Sequence, residues 1–374
     1  MAKSKISVSQ WLGVFVVAVS LAGIISTSSS FADFLDIRNK SLGSSLTLIN
    51  SSVIVIYEPQ AREKNLSEYK PKRYLTDAQL LRDAAIARPR AGIPRIAFLF
   101  LVRGDIPHEP LWRRFFQTHE EKYSLYMHAT PGYVYPKGSL FEGREIPSKL
   151  CPRFSRGIVD ALRRLLAHAL LDPRYNNAWF VNACESTVPI RGFPFAYQYL
   201  MRSKVSFVES FYPNSRYHSW QTSPEFNASD LRKGELWMAL RRDHARVVVN
   251  DTEIYFKFQA GCTWWCTWDE QYVQTLLHLA DAGGIAERTT MYVNWTEPHG
   301  GSPNGLSGTA GVIKELQSRV RDTDGERHDT AFDNTTYACV HNDVSPSPCF
   351  LFARKFASSQ TKSLLSLNPQ ELGY

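Results

Sequence analysis

From Cys262 the chain reads Cys-Thr-Trp-Trp-Cys-Thr-Trp-Asp-Glu, which sets Trp268, Asp269 and Glu270 side by side. The residues that follow, Tyr272, Val273, Leu276, Leu277 and Ala280, repeat at helical spacing. Asp269 is expected to cap that helix, with Glu270 in its first turn, where the helix dipole favours a charged carboxylate. A charged Glu held at a rigid helix start can take a proton from a hydroxyl as a general base. The neighbouring indoles offer apolar faces to sugar C–H groups, so Trp268 is a candidate acceptor contact. The same residues also fit a capped helix over a Trp-rich core with a local disulfide.

A second cluster is Cys349-Phe-Leu-Phe-Ala-Arg-Lys-Phe356, two cations set in an aromatic strand. Arg354 and Lys355 could clamp a diphosphate through charge-assisted hydrogen bonds, or they could lie on a solvated edge. One Asp-x-Asp occurs, Asp322-Thr323-Asp324, after a charged helix expected over 313–321. Its setting reads as a solvated loop, not a metal site. No cysteine or histidine cluster has zinc spacing.

Elements able to position such groups precede them. Residues 96–102, Ile-Ala-Phe-Leu-Phe-Leu-Val, are apolar throughout, as in a strand buried on both faces of a sheet. A helix is expected over 110–121 and a strand over 123–128. An amphipathic helix carries Ile158, Ala161, Leu162, Leu165, Leu166, Ala169 and Leu170 and stops at Asp172-Pro173. A third strand is expected over 178–183. The alternation predicts an α/β, doubly wound arrangement with ligands at the carboxyl ends of the strands. The residues there are Val102 and Arg103, then His128, Ala129 and Thr130, then Glu185 and Ser186. His128 reads equally as a buried, satisfied histidine. Neither G-x-G-x-x-G nor a P-loop is present, so any nucleotide is held another way.

Of 374 residues, 44% are apolar and 21% charged, values of an ordinary globular chain. The net charge of +7 suits an anionic substrate but has no patch or motif for nucleic acid. Lys3 and Lys5 precede an apolar run from Trp11, and the stretch 11–31 is long enough to span a bilayer. A cleaved signal peptide and a retained anchor both fit, and both send the rest of the chain into the secretory lumen. The expected organisation is a cytosolic tail (1–10), a transmembrane signal anchor (11–31), a lumenal stem (32–92) and a catalytic domain (93–374). Sequons at Asn39, Asn50, Asn65, Asn227, Asn250 and Asn334 support lumenal placement; a seventh, Asn294, is the one expected to be buried. The six cysteines fit an oxidising compartment and allow several pairings. Cys339 and Cys349 bracket a short loop and are expected to pair, with Cys262–Cys266 as a second bridge and Cys184 a free thiol.

Seven segments together resemble the core-2/I-branching β-1,6-N-acetylglucosaminyltransferase family, especially its plant and algal branch. They are Arg95-Ile-Ala-Phe-Leu-Phe-Leu-Val-Arg-Gly, Tyr123-Ser-Leu-Tyr-Met-His-Ala-Thr-Pro-Gly, Ala169-Leu-Leu-Asp-Pro, Glu185-Ser-Thr-Val-Pro-Ile, Arg232-Lys-Gly-Glu-Leu-Trp, Trp268-Asp-Glu-Gln-Tyr and Leu351-Phe-Ala-Arg-Lys-Phe. They stand in the family's order between about residues 93 and 360. The resemblance implies a single-pass type II Golgi membrane protein with a GT-A-like, Rossmann-type nucleotide-sugar-binding domain around a central mixed sheet. It implies inverting transfer from a UDP-sugar, UDP-GlcNAc in animal members, to a glycan, with no divalent metal and no other cofactor. Glu270 matches the family's base and Lys355 its diphosphate-binding lysine. Leu101 to Arg103 and His128 to Thr130 match its nucleotide pocket, and Trp295 falls where animal members contact the acceptor. The family's second phosphate-binding Arg has no counterpart before Cys339; Arg327 or Arg354 could replace it. Phe154-Ser155 departs from the plant branch's Trp-Gly. Two other classes fit less of this pattern: a glycosidase working with Glu185 and Glu270, and a non-catalytic sugar-binding protein.

Overall fold

The computed structural model describes residues 44–49, 52–57, 76–153, 155–212, 225–261, 267–295, 302–323 and 336–373. The expected membrane anchor, Cys262, Cys266, Asp324, Arg327 and the sequons at Asn39, Asn50, Asn65 and Asn334 lie outside the described residues. The chain divides into two compact units, 1–65 and 66–374. In the first, β1 (Ser44–Ile49) and β2 (Ser52–Tyr57) form an antiparallel hairpin. Its second strand carries the apolar run Val53–Tyr57, in the stretch read as stem.

The second unit is built on a four-stranded sheet in the order β4-β3-β5-β7. β3 (Pro94–Leu101) runs parallel to β4 (Tyr123–His128) and to β5 (Asn176–Ala183), and β7 (Ala239–Arg241) runs antiparallel to β5. The sheet is therefore mixed, as expected. Ile96, Ala97, Phe98 and Phe100 are wholly buried, which is why this run has no polar alternation. Leu101 pairs with His128 and Phe100 with Ala183, so the three parallel strands end in line. That register puts the segments after them on one edge.

A three-stranded sheet, β6-β11-β8, adjoins this core. β11 (Phe352–Arg354) lies parallel to β8 (Met291–Val293) and antiparallel to β6 (Val188–Pro189). An aromatic cluster joins the two sheets. Phe98 meets Phe352 with ring centroids 6.0 Å apart, and Trp112 of α2 (Glu109–Phe116) stacks on both Phe116 and Phe352. Helix α2 is shorter than its expected span to Glu121. Gln117 turns extended at ψ 131°, and Thr118 takes a left-handed φ of 67°, which ends the helix.

The folded unit begins before the expected boundary at residue 93. Helix α1 (Asp77–Ala85) falls in the stretch read as stem, yet Leu80 and Ala84 are buried in the main core. Thr76 caps it by accepting a bond from the Gln79 amide. Asp77 bonds Arg164 of α3 (Gly157–Leu171) at 2.7 Å and Lys149 at 2.9 Å. Burial alone would push the Asp77 carboxyl up; the hydrogen bonds from Arg164 and Lys149 outweigh it and hold it below its ordinary value. A chain shortened to begin at Ile93 strips the buried Arg164 of this partner. Its thermal midpoint is expected to fall by roughly 5 °C or more relative to one beginning at Leu66. Equal midpoints in differential scanning calorimetry would show that α1 is dispensable.

Downstream, α4 (Phe193–Arg202), α5 (Arg242–Asn250), α6 (Glu253–Gly261) and α7 (Tyr272–Asp281) complete the core. The charged helix expected over 313–321 is α8, Ala310–Ser318. Asp322 is therefore not in a loop: it lies in β9 (Arg321–Thr323), paired with Tyr337 of β10 (Thr336–Ala338), and is largely buried. Helix α9 (Thr361–Ser366) lies near the C-terminus. Cys339 and Cys349 form the expected disulfide, with Cα atoms 5.4 Å apart. Cys184 is free and buried, as expected, and Cys151 is free as well.

Candidate active site

A cavity of about 650 Å³ opens at the carboxyl ends of β3, β4 and β5. It gathers Leu101, Val102, Arg103, His128, Ala129, Thr130 and Glu185 from those ends, Glu270 and Trp295 from further on, and Arg354 and Lys355 from the end of β11. These are nearly all of the site residues expected from sequence. Trp268 is the exception. It is 1% exposed, with ring centroids 5.7 Å from Tyr255 and 6.0 Å from Phe258, and it does not line the cavity. The candidate acceptor contact at Trp268 is corrected to a core side chain.

The strand ends are tied together by hydrogen bonds. Val102 donates its amide to the His128 carbonyl, and Thr130 donates to that of Arg103. The Arg103 guanidinium reaches Glu185 at 3.1 Å, linking the β3 and β5 ends across the mouth. His128 is buried, and its Nε2 takes the Lys149 amide at 3.4 Å. Burial first, then the Arg164 charge, pulls its imidazole down to about 4, so it is neutral at physiological pH.

The cationic wall comes from several elements: Arg354 at the end of β11 and Lys355 just after it, Lys149 and Arg153 from the loop before α3, and Arg103. Arg354 is held with its guanidinium 4.2 Å from the ring centre of Trp237, which fixes its plane. Lys355 donates to the Ser302 hydroxyl at 2.6 Å. Burial, then the charges of Arg354 and Arg153, draws its ammonium below the ordinary lysine value. An anion brought between these cations relieves their mutual repulsion.

Glu270 sits in a single 3-10 turn, Trp268–Glu270, ahead of α7. Asp269 is therefore not the helix cap; Gln271 holds that position and makes no side-chain cap bond. Lys233 faces the Glu270 carboxylate, with Nζ 3.6 Å from Oε2. Burial and the Glu270 charge push the neighbouring Asp269 carboxyl up to about 7. Glu235 also lines the cavity and accepts the Trp295 indole N–H at 2.5 Å. Lys233 and Glu235 belong to the segment Arg232-Lys-Gly-Glu-Leu-Trp, but nothing in its spacing assigns them a site role. Lys149, Arg153 and Trp237 carry no local signal either.

Asp322 is outside this lining; it borders a second cavity with Arg232, Arg288 and Tyr337. Of the sequons, Asn227 and Asn250 are exposed, and Asn294 is half-buried.

A family model for the Core-2/I-Branching enzyme matches residues 96–317. The chain belongs to that family. It is also 32% identical over 317 residues to the protein named Glycosyltransferase BC10 of Oryza sativa subsp. japonica. That alignment covers 74% of this chain and 77% of the rice protein. Family membership makes the chain a glycosyltransferase by class. The matched span holds the three strand ends, Glu235, Glu270 and Trp295, while Arg354 and Lys355 lie beyond it.

Proposed function

We propose that the chain is an inverting glycosyltransferase that moves a sugar from a UDP-sugar to a hydroxyl of a glycan acceptor without a divalent metal. The observation that carries this reading is the meeting of Glu270 with Arg354 and Lys355 in one cavity at the strand ends. A carboxylate and a cation cluster are the two groups such a displacement requires. Glu270 takes the proton of the acceptor hydroxyl. The oxygen attacks the anomeric carbon from the face opposite UDP, forming the new glycosidic bond. The bond from that carbon to the diphosphate oxygen breaks, and its electron pair leaves with UDP. Lys355 and Arg354 stabilise the charge growing on the diphosphate. One displacement gives inversion.

The resemblance favours GlcNAc as the transferred sugar. A glycosidase needs a second free carboxylate across the bond, whereas Glu185 is paired with Arg103. The Cys339–Cys349 bridge and the exposed sequons at Asn227 and Asn250 support a lumenal catalytic domain. The proposed location is the Golgi membrane, with one N-terminal anchor. Incubating the purified full-length chain with a panel of UDP-sugars and glycan acceptors, with and without EDTA, tests the reaction. Transfer from one UDP-sugar that survives chelation is the expected result. Sugar release from a glycan with no UDP-sugar present would instead mark a hydrolase.

A further inference from the structure

The Lys233 side chain is 1% exposed, and its backbone is fixed on both sides. Its amide donates to the Phe211 carbonyl at 2.8 Å, and its carbonyl accepts from the Phe211 amide at 2.9 Å. Next to it, the Gly234 amide donates to the Glu270 carbonyl at 2.8 Å. The Gln274 side chain of α7 donates to the carbonyls of Gly234 and Glu235 at 3.1 and 3.0 Å. A Cβ at Gly234 would stand 2.1 Å from the Glu209 carbonyl oxygen, so only glycine lets the segment lie this close. Glu209 in turn accepts the Glu235 amide at 2.8 Å. The segment is thus bonded to the very turn that carries Glu270, and its buried ammonium is aimed at that carboxylate.

We infer that Lys233 is a positioning residue for the base, an internal cation that orients the Glu270 carboxylate and keeps it ionised. The inference rests on the reading of Glu270 as the base. An ammonium removed from water is costly unless a carboxylate faces it, so its placement needs a reason beyond solubility. The charged groups around Glu270 supply one. Asp269 adjoins it and Glu235 lines the same cavity, and negative charge on either works against ionisation of a further carboxyl. Arg153, Arg354 and Lys355 are cations of the same cavity, and in this reading the diphosphate engages Arg354 and Lys355 during the reaction. Lys233 faces Glu270 itself, with Nζ 3.6 Å from Oε2. Held on Oε2, the carboxylate keeps one orientation towards the cavity in which the acceptor hydroxyl would lie. Lys233 acts through the carboxylate and exchanges no proton with substrate.

The test is a double-mutant cycle on the full-length chain with K233M, E270Q, the double variant and K233R, reading kcat, donor KM, UDP affinity and thermal midpoint. K233M is expected to lower kcat by about tenfold or more with UDP affinity unchanged, and K233R to recover most of the loss. In the E270Q background the K233M change should alter the residual rate by less than about twofold, because its effect passes through the carboxylate. The midpoint gives an independent readout should K233M fold poorly. E270Q removes the negative charge that the buried ammonium faces at 3.6 Å, so adding K233M should restore part of the midpoint that E270Q loses. Equal fold-losses from K233M in both backgrounds, with additive midpoint losses, would overturn the inference while leaving the base reading intact. A fully active E270Q would remove the base reading, and the inference with it.

Discussion

Glu270→Gln is expected to lower turnover by about 10²- to 10⁴-fold, the span usual for removing a general base. Gln keeps the shape and one carbonyl acceptor, so Lys233 Nζ still finds an oxygen where Oε2 stood, 3.6 Å away. What disappears is the basic oxygen and the negative charge. UDP affinity in isothermal titration should hardly move, because the cations proposed to hold the diphosphate are Arg354 and Lys355, not the Trp268–Glu270 turn. The midpoint should fall, because the buried Lys233 ammonium then faces a neutral amide in place of a carboxylate. A variant as active as the wild type would sink the assignment of Glu270. Activity and stability must be read together here: a rate lost with the fold intact speaks for chemistry, and a rate lost with the fold does not.

The parts of the fold legible in the sequence are those whose signals are local. The run Ile96–Phe100 has no polar residue because both its faces are covered, and β4 falls on the expected residues, Tyr123–His128. Helix α3 follows its apolar spacing from Gly157 to the stop at Asp172-Pro173. The residues after those strands could therefore be named as site residues. The errors arise where tertiary contacts decide. Asp269 and Trp268 look like a cap and a platform, but a 3-10 turn displaces the helix start to Tyr272. That turn rotates Trp268 inward onto Tyr255 and Phe258. Helix α1 looks like stem because only nine residues form it; its reason to fold is Arg164, 87 positions away in sequence. Lys233 is the sharpest case. Nothing about a lysine in Arg-Lys-Gly-Glu distinguishes a solvated side chain from a buried partner of the base. The distinction rests on Gly234 lying against Glu209 and on the bond from its amide to Glu270.

Lys355→Ala is expected to show the opposite signature to Glu270→Gln: weaker UDP binding as well as slower transfer. A charge-assisted hydrogen bond to a phosphate oxygen is worth roughly 1.5–3 kcal/mol, so UDP affinity should fall by about 10- to 100-fold. The rate should fall too, since the diphosphate carries more charge as a leaving group than in the bound donor. Lys355→Arg should retain much of the affinity but less of the rate. The longer fork cannot keep the compact contact that Nζ makes with the Ser302 hydroxyl at 2.6 Å. Arg354, its plane set by the Trp237 face at 4.2 Å, makes its own contacts to the diphosphate and does not take over those of Nζ. If these side chains do the work of a metal, EDTA should leave the wild-type rate unchanged. Loss of transfer on chelation, with recovery on adding Mn²⁺, would defeat the cationic-clamp account. The ligands would then have to come from the cavity carboxylates, since Asp322 borders the other cavity. The two variants therefore separate the two halves of the reaction. Glu270→Gln changes kcat at constant UDP affinity, and Lys355→Ala changes both, which no single loss of folding reproduces.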